Sequence, residues 1–327
     1  MRGILSLLGL FLIAPLWASE APEQLRLEAE YPVAGMPDGN LSGLAYCDGE
    51  LQVVSDRIDD RIFHLTPVGG LMQAKAEPFI APPPPPSNLP WGVRARGQLL
   101  SLVRGNELDF EGISCDSLGN RYLVSETHAA VLQVPRAGEP NWLLLPDALV
   151  RQARASGMLL NFNALLEGIA VDLAGERLWL AAERERRGLM VVKKQQTSWR
   201  CVGSCVLFTE GGTELPPAPS GSERQIARDF SDVAFFNDKL FTLERLAHRI
   251  CRRTPGKGVV ERCWSFVEEA MADTRGYGMP FGVAEGLWID ARGAWIGLDN
   301  GGKARADGER RPIVWRFSAP KDGWGAK

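Results

Sequence analysis

One pattern recurs five times along this 327-residue chain and restricts its fold more than any other feature. It reads LSGLAYCDGELQVVSD at 41–56, FEGISCDSLGNRYLVSE at 110–126, LEGIAVDLAGERLWLAAE at 166–183, FSDVAFFNDKLFTLE at 230–244 and AEGLWIDARGAWIGLD at 284–299. Each copy has a small or acidic pair, an apolar run, a turn carrying Asp, Asn or Gly, a second apolar run and a closing carboxylate. Two β-forming runs around such a turn make an antiparallel hairpin. The aligned positions Gly43, Gly112, Gly168, Asp232 and Gly286 are spaced by 69, 56, 64 and 54 residues. That period leaves room for two further strands per copy, which makes the four-stranded blade of a β-propeller. A third β-like run follows most copies, at 61–66, 130–135, 188–193 and 312–317.

The expected fold is therefore all-β, a β-propeller of five blades, with the longer intervals leaving room for a degenerate sixth. Only 41 residues follow Gly286, about one strand short of a blade, and LRLEAEYPV (25–33) offers the N-terminal strand that closes the ring. A β-sandwich is the competing all-β arrangement. PPPPP at 82–86, with Pro90, reads as an extended loop because proline cannot donate to a central ladder. LPDALVRQARASG (145–157) reads as a short inserted helix. The 35 glycines and 22 prolines suit a fold with many turns.

At the N-terminus, Arg2 precedes an apolar run from Ile4 to Trp17 that ends in Ala18-Ser19-Glu20. These are the marks of a secretory signal, and the run is short for a membrane span. The expected organisation is a signal peptide over 1–18 and a single propeller domain over 19–327. The mature chain is expected to be exported to the periplasm or extracellular space, monomeric and without a membrane span. Without residues 1–18 it carries 36 basic and 40 acidic side chains, a balance that gives no footprint for nucleic acid. Export makes Cys47, Cys115, Cys201, Cys205, Cys251 and Cys263 disulfide candidates, with fifteen pairings open. Cys251 and Cys263 flank a hairpin with a Pro-Gly turn and are the favoured pair. Cys201 and Cys205 are near enough to bridge around Gly203. With no CxxC spacing and three histidines, a zinc site is the weaker reading.

In a hairpin, the start of the first strand and the end of the second share an edge. Glu111 should then neighbour Glu126, Glu167 neighbour Glu183, Asp232 neighbour Glu244, and Glu285 neighbour Asp299. In the first copy, Ser42 stands opposite Asp56 instead. If the first strands line a channel, Glu111, Glu167, Asp232 and Glu285 converge at one mouth, with Asp56, Glu126, Glu183, Glu244 and Asp299 behind them. Crowded carboxylates raise one another's pKa unless something neutralises them. Ca²⁺, with six to eight oxygen ligands, suits such a site. Glu111, Glu167, Asp232, Glu285, Glu126 and Asp299 are the candidate metal ligands, and Asn163 and Asn300 could add neutral oxygens. The alternative is that the outer acids are turn residues or pair with arginines, as in Asp56-Arg57, Glu183-Arg184 and Glu244-Arg245. Pointed inward, Arg57, Arg184 and Arg245 are candidate substrate-binding donors for phosphate or carboxylate. Pointed outward, they form ordinary surface ion pairs. His128 is the one histidine close to the expected mouth, and a lone histidine is more often a packing residue. No catalytic residue is assigned, and GxSxG, HExxH, P-loop and dinucleotide-binding patterns are absent.

The series DFEGISCDSLGNRYLVSE, LEGIAVDLAGERLWLAAE, FSDVAFFNDKLFTLER and AEGLWIDARGAWIGLDNG resembles the secreted phytase-like propeller family described as esterase-like activity of phytase. The likeness spans roughly residues 40–317, and Ser42 departs from the family's pattern. The resemblance implies a propeller that hydrolyses ester or phosphoester bonds of a small anionic substrate at its channel mouth, with Ca²⁺. Two other functions remain open: a non-catalytic propeller that binds a protein or an envelope ligand, and a lactonase-like metal-dependent enzyme at the same mouth.

Overall fold

Each repeated hairpin folds as the inner half of an antiparallel sheet. A computed structural model describes residues 22–37, 40–104, 107–162, 164–218, 223–279 and 283–325, with backbone alone for 98–104. The expected signal peptide and Asn163 lie outside the described residues. The first unit pairs Leu44–Cys47, Glu50–Ser55, Ile58–Val68 and Leu71–Pro78 in order. The second pairs Phe110–Cys115, Arg121–Ser125, Ala130–Val134 and Asn141–Trp142. In the third, Leu166–Val171, Arg177–Ala182 and Arg186–Gln195 are followed by Ser198–Arg200 and Val206–Gly211, both paired with Arg186–Gln195. The fourth runs Asp232–Phe236, Lys239–Glu244, Arg249–Arg253 and Val260–Ser265. The fifth has Ala284–Asp290, Gly293–Leu298 and Ile313–Ser318, completed by Leu27–Ala34 from the other end of the chain. That N-terminal strand lies where the sequence places it. It also pairs in parallel with Leu71–Pro78 and so joins the fifth unit to the first.

Apolar burial arranges these sheets in a circle. The second strand of the second unit, Arg121–Ser125, is buried at every position because its sheet is covered on both faces. Among the described residues, apolar clusters fill the space between successive sheets. Val54, Ile62, Phe110 and Leu123 pack the first against the second, and Val124, Val131, Ile169 and Leu178 the second against the third. Trp179, Leu189, Val233 and Leu240 follow, then Phe241, Trp264, Ile289 and Trp315. Val53, Phe63 and Val314 return to the start.

At the centre, small residues let the first strands touch. A Cβ on Gly43 would lie 2.7 Å from the Gly112 Cα, one on Gly112 2.8 Å from the Glu167 carbonyl oxygen, and one on Gly168 2.7 Å from the Asp232 Cα. A Cβ on Gly286 would meet Leu44.

The Pro-rich segment 82–86 has neither strand nor helix, and the insertion expected at 145–157 holds the helix Ala148–Ala155. A second helix, Trp91–Arg104, was not expected from the sequence, because two glycines interrupt its apolar pattern. Cys201–Cys205 and Cys251–Cys263 are bridged, and Cys47–Cys115 ties the first unit to the second. No helix among the described residues is long and apolar enough to cross a membrane.

Candidate functional site

A bulge in the first strand sets the site residues apart from the ladder. Phe110 pairs with Ser125 and Gly112 with Val124, so Glu111 has no partner across the strand. The same shift isolates Glu167 between Leu166 and Gly168, and Glu285 between Ala284 and Gly286. A bulge re-aims a side chain that regular pairing would tie to one face. The following Gly permits this because the neighbouring backbone leaves no space for a Cβ there. The edge shared by each hairpin's two ends also forms: the amides of Glu126, Glu183 and Asp299 donate to Asp109, Leu165 and Val283 carbonyls at 2.8–3.1 Å. In the first unit the Asp56 amide donates to the Ser42 hydroxyl at 3.1 Å, so serine serves the same edge without adding charge.

Two groups of carboxylates converge here. Oxygens from Asp56, Asp109 and Glu111 lie within 4.8 Å of one another, as do oxygens from Glu126, Glu167 and Glu183. The groups adjoin: burial, then the charges of Glu167, Asp109, Asp56 and Glu126, push Glu111 well above the usual carboxylate range. Burial and the charges of Glu167 and Asp109 do the same to Glu126, although the Leu165 amide donates to it at 3.0 Å. Burial raises Glu167 to about 7 against the pull of Arg245 and Arg184, and Glu285 to about 8 against Arg245. Asp299 rises to about 6, chiefly through burial, with Asp56 adding to it.

The other candidates meet different fates. Asp232 occupies the glycine register, where its carboxylate accepts the Leu287 amide at 2.7 Å and lies among backbone donors of adjacent strands. The structure therefore does not bring Asp232 into either carboxylate group. Glu244 is enclosed by Arg187 at 2.9 Å, Arg253 at 2.8 Å and Arg249 at 2.5 Å. Burial would raise its pKa, but these three arginines outweigh it and hold the group low. Arg245 is buried and donates to Glu285 and, at 2.6 Å, to Glu183, while Asp229 lies 3.3 Å from its Nε. Its charge thus serves the protein's own acids. Arg184 pairs with Glu183, and Arg57, with its side chain 41% exposed, pairs with Asp56 at 3.1 Å on the rim. The Asn300 amide donates to the Lys303 and Arg310 carbonyls, which makes it a loop fastener. His128 is mostly buried near Trp142 and stands outside both carboxylate groups.

Asp109 and Asp229 are the residues that sequence reasoning missed. Both open a DF dipeptide before the first strand, in DFEG and DFSD, and that shared offset was the available signal. Asp59 fixes the Asp109 segment by accepting the amides of Glu107, Leu108 and Asp109 at 2.5–3.1 Å. Asp109 itself takes a left-handed backbone, φ 54°, which Asp tolerates better than most residues.

Chemically, the donor set is oxygen throughout, with neither imidazole nor thiolate, and could hold a hard divalent cation. The raised carboxylates also predict how stability depends on pH. Folded Glu167 and Glu285 keep protons that unfolded glutamates release near 4.5, so without a cation stability falls as pH rises from about 4.5 to about 8. Thermal unfolding of chelator-treated protein across that range tests this. A Tm constant or rising through it would contradict the assignment.

A family model described as phytase-like, esterase-like activity of phytase, matches residues 37–262. The chain belongs to the phytase-like family. No curated protein matches it. Among solved structures, this phytase-like chain is similar to glutaminyl cyclase from Myxococcus xanthus, at 11% identity over 91% of this chain and 97% of that one, TM-score 0.50. It is also similar to the PQQ-bound aldose sugar dehydrogenase of Streptomyces coelicolor, at 12% identity over 91% and 99%, TM-score 0.45. Virginiamycin B lyase from Staphylococcus aureus follows at 12% over 91% and 100%, TM-score 0.43. At such identities the first likeness speaks for the fold alone, and the other two bear no weight.

Proposed function

We propose that this phytase-like chain is an exported five-bladed propeller, one domain over 19–327 behind a signal peptide at 1–18. In this reading it uses Ca²⁺ at its acidic mouth to hydrolyse carboxylic or phosphate esters of small anionic molecules. One observation carries the reading: six buried or half-buried carboxylates converge in two adjoining groups across the first three units. Glu111, Glu126 and Glu167 are the proposed core of the cation site, with Asp56, Asp109 and Glu183 around them. A cation bound there would polarise the ester and make water a better nucleophile. Glu285, pushed up to about 8 beside Arg245, is the proposed group that takes and returns a proton near neutral pH. Half-exposed Arg57 meets the anionic part of the substrate at the rim. Three disulfides support export, since such bonds persist in oxidising compartments.

The test is metal analysis of the purified protein, followed by assays on p-nitrophenyl acetate and p-nitrophenyl phosphate with and without Ca²⁺. Ca²⁺-dependent turnover of at least one ester is expected. Glu285→Gln should reduce kcat about a hundredfold, the lower range for removing a general acid or base. Glu111→Gln should lose the dependence on Ca²⁺. Unchanged rates in both variants, or no turnover by the parent protein, would overturn the hydrolase reading.

A further inference from the structure

Residues 79–109 connect the last strand of the first unit to the first strand of the second and carry the helix Trp91–Arg104. Side chains fasten this connection on both sides of the helix. Before it, the Trp142 Nε1 donates to the Pro82 carbonyl at 2.8 Å and the Asn88 amide to Asp147 at 3.2 Å. Leu89 is buried in the core between the second and third units. After the helix, Asp59 accepts the amides of Glu107, Leu108 and Asp109.

These ties set the helix at the edge of the acidic mouth. A Cβ on Gly97 would lie 3.5 Å from the Thr127 methyl carbon. Thr127 follows Glu126, and its hydroxyl donates to Asp109 at 3.4 Å. Beside Gly97, the Arg96 guanidinium lies over the Phe162 ring, 5.8 Å from its centre. Phe162 reaches the same edge from the third unit: Asn161 before it bonds to Glu185, and the Leu165 amide after it donates to Glu126 at 3.0 Å. Arg96 is thereby placed at the junction of the second and third units, whose carboxylates Glu126, Glu167 and Glu183 form one group.

Arg57, Arg184 and Arg245 pair with the protein's own acids. Arg96 is exposed and among the described residues forms no ion pair. A ring against one face of a guanidinium restrains it, while its N–H donors lie in the plane of the group and stay available for an anion. Six carboxylates repel an anionic substrate, so positive charge at the rim is what such a substrate needs besides the bound cation.

We propose that Arg96, seated on Phe162, is a specificity-determining residue that takes the phosphoryl or carboxylate group of the substrate through charge-assisted hydrogen bonds. The proposal rests on the mouth being the ligand site of the proposed hydrolase, and not on turnover there.

Calorimetric titration of the full chain in the presence of Ca²⁺, with phenylphosphonate and with benzoate, tests it. Neither probe has an ester bond, and the pair separates phosphoryl from carboxylate recognition. Saturable binding of at least one is expected. Arg96→Met keeps much of the stem without the charge and should weaken that binding about tenfold, as loss of a charge-assisted hydrogen bond does. Arg96→Lys, with the charge but not the fork, should recover only part of it. Arg292→Met removes one positive charge from the exposed turn between Ala284–Asp290 and Gly293–Leu298, at the other end of the hairpin, and should bind as the parent does. Each variant is first required to show the parent's circular dichroism and Tm. Binding of neither probe, binding unchanged in Arg96→Met, or equal losses in Arg96→Met and Arg292→Met overturns the proposal. Turnover of p-nitrophenyl acetate without probe binding would sink the role of Arg96 and keep the hydrolase. Tenfold weakening in a protein that turns over no ester would do the reverse.

Discussion

Gly168→Val is expected to prevent folding. The Cβ it adds would lie 2.7 Å from the Cα of Asp232, 2.8 Å from the Val233 nitrogen and 2.9 Å from the Asp232 carbonyl carbon, all backbone atoms of the adjoining first strand. A flexible side chain could step aside, but a strand held by its own ladder moves only with its sheet. Each sheet is wedged between two others, so widening one junction must loosen the circle. We expect a loss of more than about 4 kcal/mol, the range reserved for severe overpacking or strain. Gly168→Ala should show the same effect at smaller size. Gly92→Ala is the control: it lies in the helix Trp91–Arg104 and its Cβ would have nothing within 4 Å. That change should leave stability unchanged or slightly improved, as alanine favours helix. Urea unfolding of the three variants reads the comparison. A Gly168→Val protein with the parent's midpoint would show that the strands do not meet through this position.

The second large effect is expected from Arg245→Met. The parent residue is buried and holds Glu285 and Glu183, with Asp229 close by. Methionine fills much of the same volume but leaves these carboxylates without their cation. Breaking a buried ion pair from one side costs about 3–5 kcal/mol. The loss should depend on pH in a definite sense. Without Arg245 the folded-state pKa values of Glu285 and Glu167 rise further above the unfolded value, since its charge is what lowers them now. The penalty therefore grows as pH rises above about 4.5 and is relieved in acid, where folded and unfolded chains are both protonated. Thermal unfolding at pH 5 and pH 8 should show the variant far more impaired at pH 8. Equal losses at both values would mean that Arg245 acts through packing rather than charge.

The hairpins, the closing N-terminal strand and two of the disulfides were legible because they depend on local patterns: period-two apolar runs, turn residues and short cysteine separations. Cys47–Cys115 was not, since its partners meet only once two sheets are docked. The shared edge of a hairpin pairs Glu167 with Glu183, and the structure groups these two with Glu126, whereas Glu111 falls with Asp56 and Asp109. The evenness expected of the acid ring fails at Glu244 for a reason that sequence spacing does not carry, and at Asp232 for one that the alignment with the glycines already holds. Arg187 from the third unit joins Arg249 and Arg253, the two ends of one strand of the fourth, in closing around Glu244, while Asp232 sits in the glycine register, one position away from the glutamates. Which acid meets which base is decided by packing between sheets. Asp109 was missed because the repeated pattern was read from Phe110 onward, one residue after it.

The strand that completes the fifth unit has a consequence for the order of assembly. Leu27 faces Phe317 across the ladder, Glu23 and Gln24 flank the fourth unit, and Val33 and Ala34 reach the first. Leu27–Ala34 can therefore meet the first unit early, but its longer ladder waits for Ile313–Ser318 at the far end of the chain. Until Ile313–Ser318 emerges, the molecule is an open arc with an unsatisfied strand edge at each end, and such edges invite pairing with other chains. Contacts so distant in sequence form slowly. The length of time a newborn chain spends as an arc, rather than the strength of the finished circle, sets its exposure to aggregation.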